Sequence, residues 1–269
     1  MRYYTIQPSQ KLADYVRFFW VLESDETTDT PYIYRSLADG FAELLFHYQG
    51  TFDELISPER IEKSFISGVH GQSQKYRRFI TTGDFGIFGA YLYPSAIPQF
   101  FSLPSSELSN QMPDLRTLLG NEGGYLEERM MLAPDNLQRV KIISAFLETA
   151  LSKRFIRPPD VFSCINYIIQ SKGVTDVAVM ASKYFLSTRQ FERKFKQFSG
   201  FSPKLFSRIV RFQSAINNYG NKNISLTEIA YECGYYDQSH FIHDFREFSG
   251  YNPKQYFSGN AEGVEYREV

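Results

Sequence analysis

Cysteine, tryptophan and histidine are all scarce in this chain of 269 residues, which has Cys164 and Cys233, the single Trp20, and His47, His70, His240 and His243. Two cysteines set in apolar helical patterns exclude a disulfide framework and read as buried thiols. Little is left for a metal centre. His240 and His243 stand three apart with no acidic or thiol partner completing a motif, and His47, His70 and Glu43 lack the spacing of a ligand cluster. No Gly-x-Ser-x-Gly elbow, phosphate-binding glycine loop or nucleophile triad is present. The residues therefore point to no enzyme, no cofactor and no metal. There is no apolar run of about 18 residues and no signal peptide, so a cytoplasmic protein with no membrane partner is expected. Neither sign of charge dominates, the formal net charge being -1.

Aromatic residues, by contrast, make up 17% of the chain, with 25 Phe and 19 Tyr, and 43% of all residues are apolar. That is enough for two domains with aromatic-rich cores. The strongest pattern is a repeat fifty residues apart, in which Phe191, Phe195, Phe198, Ser199-Gly200, Pro203 and Lys204 recur as Phe241, Phe245, Phe248, Ser249-Gly250, Pro253 and Lys254. Matches at i, i+4 and i+7 plus turn residues are what two copies of one packed helix and its C-terminal turn retain. Before each copy lies a second apolar helical pattern with a small residue at the crossing, Ala181 in the first and Ala230 in the second. Ser187 and Asp237 are the candidate caps of the repeated helices, and Gly234 ends the helix before the second. Each unit reads as a helix-turn-helix, and 203–219 reads as one long helix joining them. Residues 160–257 carry 12 Lys/Arg against 8 Asp/Glu, whereas 1–159 carry 16 against 19, so the repeat-bearing part is the basic part.

The fold class expected is α+β. Short alternating runs separated by turn residues predict a mainly antiparallel sheet over 18–93, curled into a barrel or sandwich, with helices over about 104–155. Leu12, Val16, Phe19 and Trp20 stand at helical spacing and predict a short helix leading into the first strand. Before them a loop is expected. Gly120 with Gly123-Gly124 reads as the end of a short helix at Leu115-Leu118-Leu119, and Leu137 to 155 as a helix that packs on its own sheet or forms a dimer stripe. Arg157-Pro158-Pro159 is the expected boundary between a domain of 1–157 and one of 160–257, with an acidic tail over 258–269. Tyr32, Tyr34, Phe46, Tyr48, Tyr76, Phe88 and Tyr91 either fill the core of the sheet domain or wall a ligand pocket.

With these residues in view, 160–257 resembles the AraC/XylS family of bacterial transcription regulators. The resemblance rests on Ala181 six before Ser187, Phe191-x-x-x-Phe195-Lys196-x-x-x-Gly200-x-Ser202-Pro203, Arg211-x-x-x-Ala215, Ile229-Ala230-x-x-x-Gly234-Tyr235-x-Asp237-x-Ser239-x-Phe241 and Phe245-Arg246-x-x-x-Gly250-x-x-Pro253-x-x-Tyr256. It implies about seven helices, two helix-turn-helix units and a joining helix. Leu12-x-x-Tyr15-Val16-x-x-Phe19-Trp20, Asp39-Gly40-x-x-Glu43-Leu44-x-Phe46 and Phe88-Gly89-x-x-Leu92-Tyr93-Pro94-Ser95-Ala96 are similar to the cupin-like N-terminal domain of some members. That similarity implies a sensor or dimerisation domain.

Double-stranded DNA is the partner so implied, with a small-molecule or protein effector, a homodimer and an RNA polymerase contact as further candidates. The candidate DNA-binding residues are Thr188, Arg189, Glu192, Arg193 and Lys196 in the first unit and Gln238, Ser239, His240 and His243 in the second. Arg193 suits bidentate binding to guanine or a phosphate contact, and Gln238 suits adenine. His243 stands where family members often carry arginine, so a DNA contact and an intraprotein role are both open to it. Arg208 and Arg211 are candidate phosphate contacts, with an internal ion pair open to Arg211. Ala181, Phe191, Phe195, Phe198, Ala230, Phe241, Phe245 and Phe248 are expected in the core. A protein-interaction scaffold reusing the two helical units is the alternative to a DNA reader.

Overall fold

The computed structural model describes residues 1–25, 31–153, 161–218, 224–259 and 261. Nine strands come first: β1 Arg2–Ile6, β2 Val16–Ser24, β3 Tyr32–Ser36, β4 Ala42–Gln49, β5 Asp53–Ser57, β6 Arg60–Glu62, β7 Ser67–His70, β8 Arg77–Thr81 and β9 Phe85–Leu92. They pair as two antiparallel sheets, in the orders β1-β2-β9-β4-β7 and β3-β8-β5-β6. Among the described residues no strand pairing joins the two sheets, so they do not close into a barrel. The cupin-like reading is corrected on that point. Its three motifs fall on β2, β4 and β9, which are neighbours at the centre of one sheet. Closure depends on edge strands about which those motifs say nothing.

The central strands β2, β9 and β4 of the larger sheet are buried on both faces. Phe19, Val21, Leu44, Phe46, Val69, Phe88 and Ala90 face a core shared with the helices that follow, α1 Ile97–Phe101, α2 Ser105–Leu108, α3 Leu115–Leu119, α4 Asn121–Met131 and α5 Asn136–Lys153. A turn of 3-10 helix at Pro94–Ala96 leads into them. Trp20, Leu22, Leu45 and Ile87 face the smaller sheet. A strand covered on both faces is a continuous apolar run, and this is why Val16, Phe19 and Trp20 imitate helical spacing: they lie in β2. β1 likewise occupies a stretch that reads as loop, and it pairs along its whole length with β2. Gly120 ends α3, whereas Gly123-Gly124 lies inside α4, where a Cβ on Gly123 would come within 2.2 Å of the Leu115 carbonyl oxygen on α3. Of the two readings of α5, packing on its own sheet is the one observed, through Ile142, Ile143, Leu147 and Ala150.

Seven helices follow among the described residues: α6 Val161–Gln170, α7 Val177–Lys183, α8 Thr188–Ser199, α9 Pro203–Ile216, α10 Leu226–Glu232, α11 Gln238–Ser249 and α12 Pro253–Phe257. Together the chain is α+β, an antiparallel sheet part with flanking helices followed by a helical part. The expected boundary at Arg157-Pro158-Pro159 and most of the expected tail lie outside the described residues.

The repeat appears as two units built alike. In each, the helix before the turn gives a carbonyl, Ala181 or Ala230, to the N–H five residues on, Leu186 at 3.1 Å or Tyr235 at 3.0 Å. The residue just before that donor takes positive φ in both units. It is Gly234 at +74° in the second and Phe185 at +54° in the first, where the ring is 98% exposed. A side chain in the left-handed region is strained, whereas glycine is at ease there. Replacing Phe185 with Gly is therefore expected to raise stability by about 1 kcal/mol, read as a higher urea midpoint at unchanged slope. Phe195 and Phe245 are fully buried, and either one changed to Ala is expected to cost about 3–5 kcal/mol in the same assay.

Candidate functional site

α8 and α11 are held by the same devices. Ser187 caps α8 through a reciprocal pair of hydrogen bonds with Gln190, and Asp237 caps α11 by accepting from the His240 N–H at 2.8 Å. Phe191 and Phe195 on α8, and Phe241, Phe245 and Phe248 on α11, are fully buried, with Ala181 and Ala230 at the crossings; Phe198 is half-buried against the same core. Gly200 and Gly250 end the two helices at φ +87° and +70°. This leaves Thr188, Arg189, Glu192, Arg193 and Lys196 exposed on α8, and Gln238, Ser239, His240 and His243 exposed on α11. Each group is thus brought to one outward helix with its N-terminal turn free. Arg246 is exposed too; it is not among the candidate DNA-binding residues, although the fifty-residue repeat pairs it with Lys196.

The joining helix α9 binds both units. Phe206 meets Phe195 edge-on at 5.6 Å between ring centroids, and Phe212 meets Phe245 at 5.4 Å and Phe248 at 5.5 Å. Arg208 does not point to a free surface. Its guanidinium donates at 2.6 Å to Asp244 and at 2.6 Å to Glu247, both on α11. Asp244 is buried, and the His243 Nδ1 lies 3.7 Å from it and 3.8 Å from Glu247. Burial opposes the charge on Arg208, but hydrogen bonds to the two carboxylates outweigh it and hold the group above its ordinary range. Arg211 is half-buried with its guanidinium 5.1 Å from the centre of the Tyr235 ring. Both arginines are engaged within the protein.

The sheet part grips the far ends of both outward helices. Ser109 donates to the Gly200 carbonyl at 2.9 Å, the Ala38 N–H to Phe248 O at 2.9 Å, and Arg35 to Ser249 O at 3.4 Å. Gln213 on α9 donates to the Ala38 carbonyl at 2.6 Å, and Leu37 and Ala38 sit in the helical core. The next residue, Asp39, lines a cavity of about 570 Å³ between the two sheets, whose wall is completed by Gln213, Ile216 and Asn217 of the helical part.

Strand register explains what faces this cavity. Phe18, Tyr91, Glu43 and His70 lie abreast on β2, β9, β4 and β7, and the next inward row is Trp20, Gly89, Leu45 and Gly68. Gly89 leaves room for the Trp20 ring, which a Cβ there would meet at 2.2 Å. Burial, with Asp39 nearby, pushes the Glu43 carboxyl up to about 8, and burial raises Asp39 to about 6 although Tyr91 donates to it. Burial drives His47 down to about 4 and, with Arg77 nearby, His70 down to about 3. Of the seven aromatics named from the sequence, Tyr34 and Tyr91 line this cavity, whereas Phe46, Tyr48 and Phe88 pack toward the helices on the sheet's other face. Its carboxylates and histidines come together from β4, β7 and the loop at Asp39, and the spacing of Glu43, His47 and His70 along the chain does not announce the group.

Residues 180–259 match the family described as Helix-turn-helix domain. RhaS of Escherichia fergusonii, an HTH-type transcriptional activator, is 31% identical over 86 residues, which are 32% of this chain and 31% of that protein. The C-terminal helices contain an AraC-type helix-turn-helix domain. RhaS of Salmonella arizonae matches the same domain type at 32% identity over 80 residues, 30% of this chain and 29% of that one. The chain thus spans about a third of the length of the curated relatives it matches. Residues 4–114 match a family described as Domain of unknown function (DUF6597). A solved structure of ToxT from Vibrio cholerae is 14% identical with a TM-score of 0.48, covering 89% of this chain and 97% of that one. No described helix is long and apolar enough to cross a membrane.

Two outcomes are expected from these geometries. Arg208→Ala strands the buried Asp244 carboxylate and should lower stability by about 2–3 kcal/mol in urea unfolding. Because the folded value of Glu43, about 8, lies above its ordinary 4.5, its contribution is complete below the ordinary range and is lost as pH rises through about 8; Asp39 is lost earlier, near 6. The two histidines act oppositely, their contribution being lost only as pH falls toward about 4 and 3. Urea unfolding should therefore show stability declining from near neutral toward pH 8, and Glu43→Gln should flatten that decline.

Proposed function

We propose that the chain is a sequence-specific double-stranded DNA-binding regulator of transcription whose sheet part controls its helical part. The observation that carries this is the pair α8 and α11, two outward helices on one framework, each with an exposed polar first turn. In this reading each helix enters a major groove, and the groove entries on one DNA face lie about 34 Å apart. Arg193, with Arg189, Glu192 and Thr188, reads bases at one half-site, and Lys196 holds phosphate. Gln238, Ser239, His240 and His243 face the second half-site. Because His243 replaces an arginine-like contact and stands beside two carboxylates, the second unit docks on backbone more than it reads bases. Arg208 and Arg211 act as internal braces and not as phosphate contacts, and 1–157 and 160–257 act as the two domains.

Control is supported by the short path from the cavity to the reading helices. Asp39 lines the cavity, while Ala38 bonds both the last turn of α11 and Gln213 of α9. A small molecule that moves Asp39 shifts the seat of α11. Leu132, Leu137 and Tyr125, exposed on and between α4 and α5, are the surface we assign to a second copy or to RNA polymerase.

Selection from a randomised duplex library at low salt tests this. Full-length protein is expected to enrich two motifs about one helical turn apart, with binding that weakens steeply as salt rises. Arg193→Ala should lose about 1–3 kcal/mol of discrimination at one position of one motif. Folded protein that enriches no motif would move the reading to a protein-interaction scaffold.

A further inference from the structure

We propose that the cavity between the two sheets binds a small organic cation that carries N–H donors on an aromatic or apolar body, its charge held by Glu43 and Asp39. The inference deepens the control role proposed above by naming the ligand class.

The polar lining of the cavity includes acceptors that a cationic ligand can use, beside hydroxyl and amide groups and the indole N–H of Trp20, which is turned toward Glu43. Glu43 and Asp39 are its two carboxylates, and the Nε2 of His70, a residue only 6% exposed, has no hydrogen-bond partner among the described residues. His70 is Glu43's register partner on the neighbouring strand, so the two stand abreast. Neutral imidazole with its proton on Nδ1 offers that Nε2 as an acceptor. The Tyr91 hydroxyl, which might otherwise donate to a ligand, is already given to Asp39.

Charge points the same way. Among the described lining residues Arg17 is the one guanidinium or ammonium against two carboxylates, and it lies on the Asp39 side. Arg77, which faces His70, is committed to Glu54 at 3.0 Å. Trp20, on β2, eases the ionisation of Glu43 only in part, and His47 and His70 are held neutral. Ionised Glu43 therefore lacks a counter-charge that a ligand can supply. The rings supply the rest. Arg17 lies 5.4 to 5.9 Å from the ring centres of Phe41, Phe18 and Tyr91, so these faces already accept a planar cation. Trp20, Phe52 and Phe79 offer the apolar wall deeper in, and about 570 Å³ is within the ordinary size of small-molecule sites.

Benzamidine and its neutral isostere benzamide separate the possibilities, because they differ in charge and hardly in shape. Calorimetric titration of the full chain, without DNA, is expected to show benzamidine binding at least about tenfold tighter than benzamide. Benzamidine affinity should rise by up to about tenfold per pH unit from about pH 6 to about pH 8 and then level off, because binding requires the ionised carboxylate. Heats in buffers of different ionisation enthalpy should reveal proton release over that range. Glu43→Gln should weaken benzamidine and remove the pH slope. Should that variant not fold, the slope and the benzamidine-to-benzamide ratio of the unaltered protein still decide.

Equal binding of the two compounds, affinity that is flat or falls with rising pH, or no benzamidine binding by protein with a native unfolding transition would overturn the proposal. None of these outcomes touches the DNA reading, which the duplex selection judges independently.

Discussion

Phe206 and Phe212 on one helix determine where both outward helices stand. α8 is seated by Phe195 against Phe206, and α11 by Phe245 and Phe248 against Phe212, all of these rings being fully buried. Aromatic rings meeting edge-on bury large apolar surfaces and tolerate little sliding, so each helix has one comfortable seat. With Pro203 at its start and Ser202 as cap, α9 forms a rigid bar of about 21 Å, on which the two seats stand about 9 Å apart along the axis. Every surface property of α8 and α11 presupposes that bar. The ion pairs from Arg208 to Asp244 and Glu247 then fix the roll of α11 about its own axis.

The helical part was legible in the sequence because its signals are local and doubled. Phenylalanines at i, i+4 and i+7, a capping Ser or Asp and a closing Gly each act within a few residues, and a second copy separates them from chance. The outward positions follow by subtraction from the buried ones. Arg208 escaped that logic, since its partners Asp244 and Glu247 lie more than thirty residues away and nothing along the chain joins them.

The sheet part was legible only in outline. β2, β4 and β9 are apolar on both faces, so their patterns give neither a clean alternation nor a clue to the sheet's edges. For the same reason a motif match in those three strands carried an expectation of closure that two open sheets do not meet. The carboxylates in the cavity were visible as residues and invisible as a group. Glu43 and His70 become neighbours only through strand register, and Asp39 joins them through a loop that also touches the helices.

Gly200 and Gly250 close the two outward helices, and each also lies against the sheet part. A Cβ on Gly200 would meet Ser109 Oγ at 2.5 Å, and one on Gly250 would meet the Tyr76 ring at 2.4 Å. The fifty residues between them therefore work as a ruler with a contact at each end. Much of that length is helix, in which one added residue advances the chain by about 1.5 Å and turns it by about 100°. An insertion in α9 would thus leave both helix-turn-helix units intact while lifting one of them off the sheet part, so the length of this helix is as constrained as its sequence.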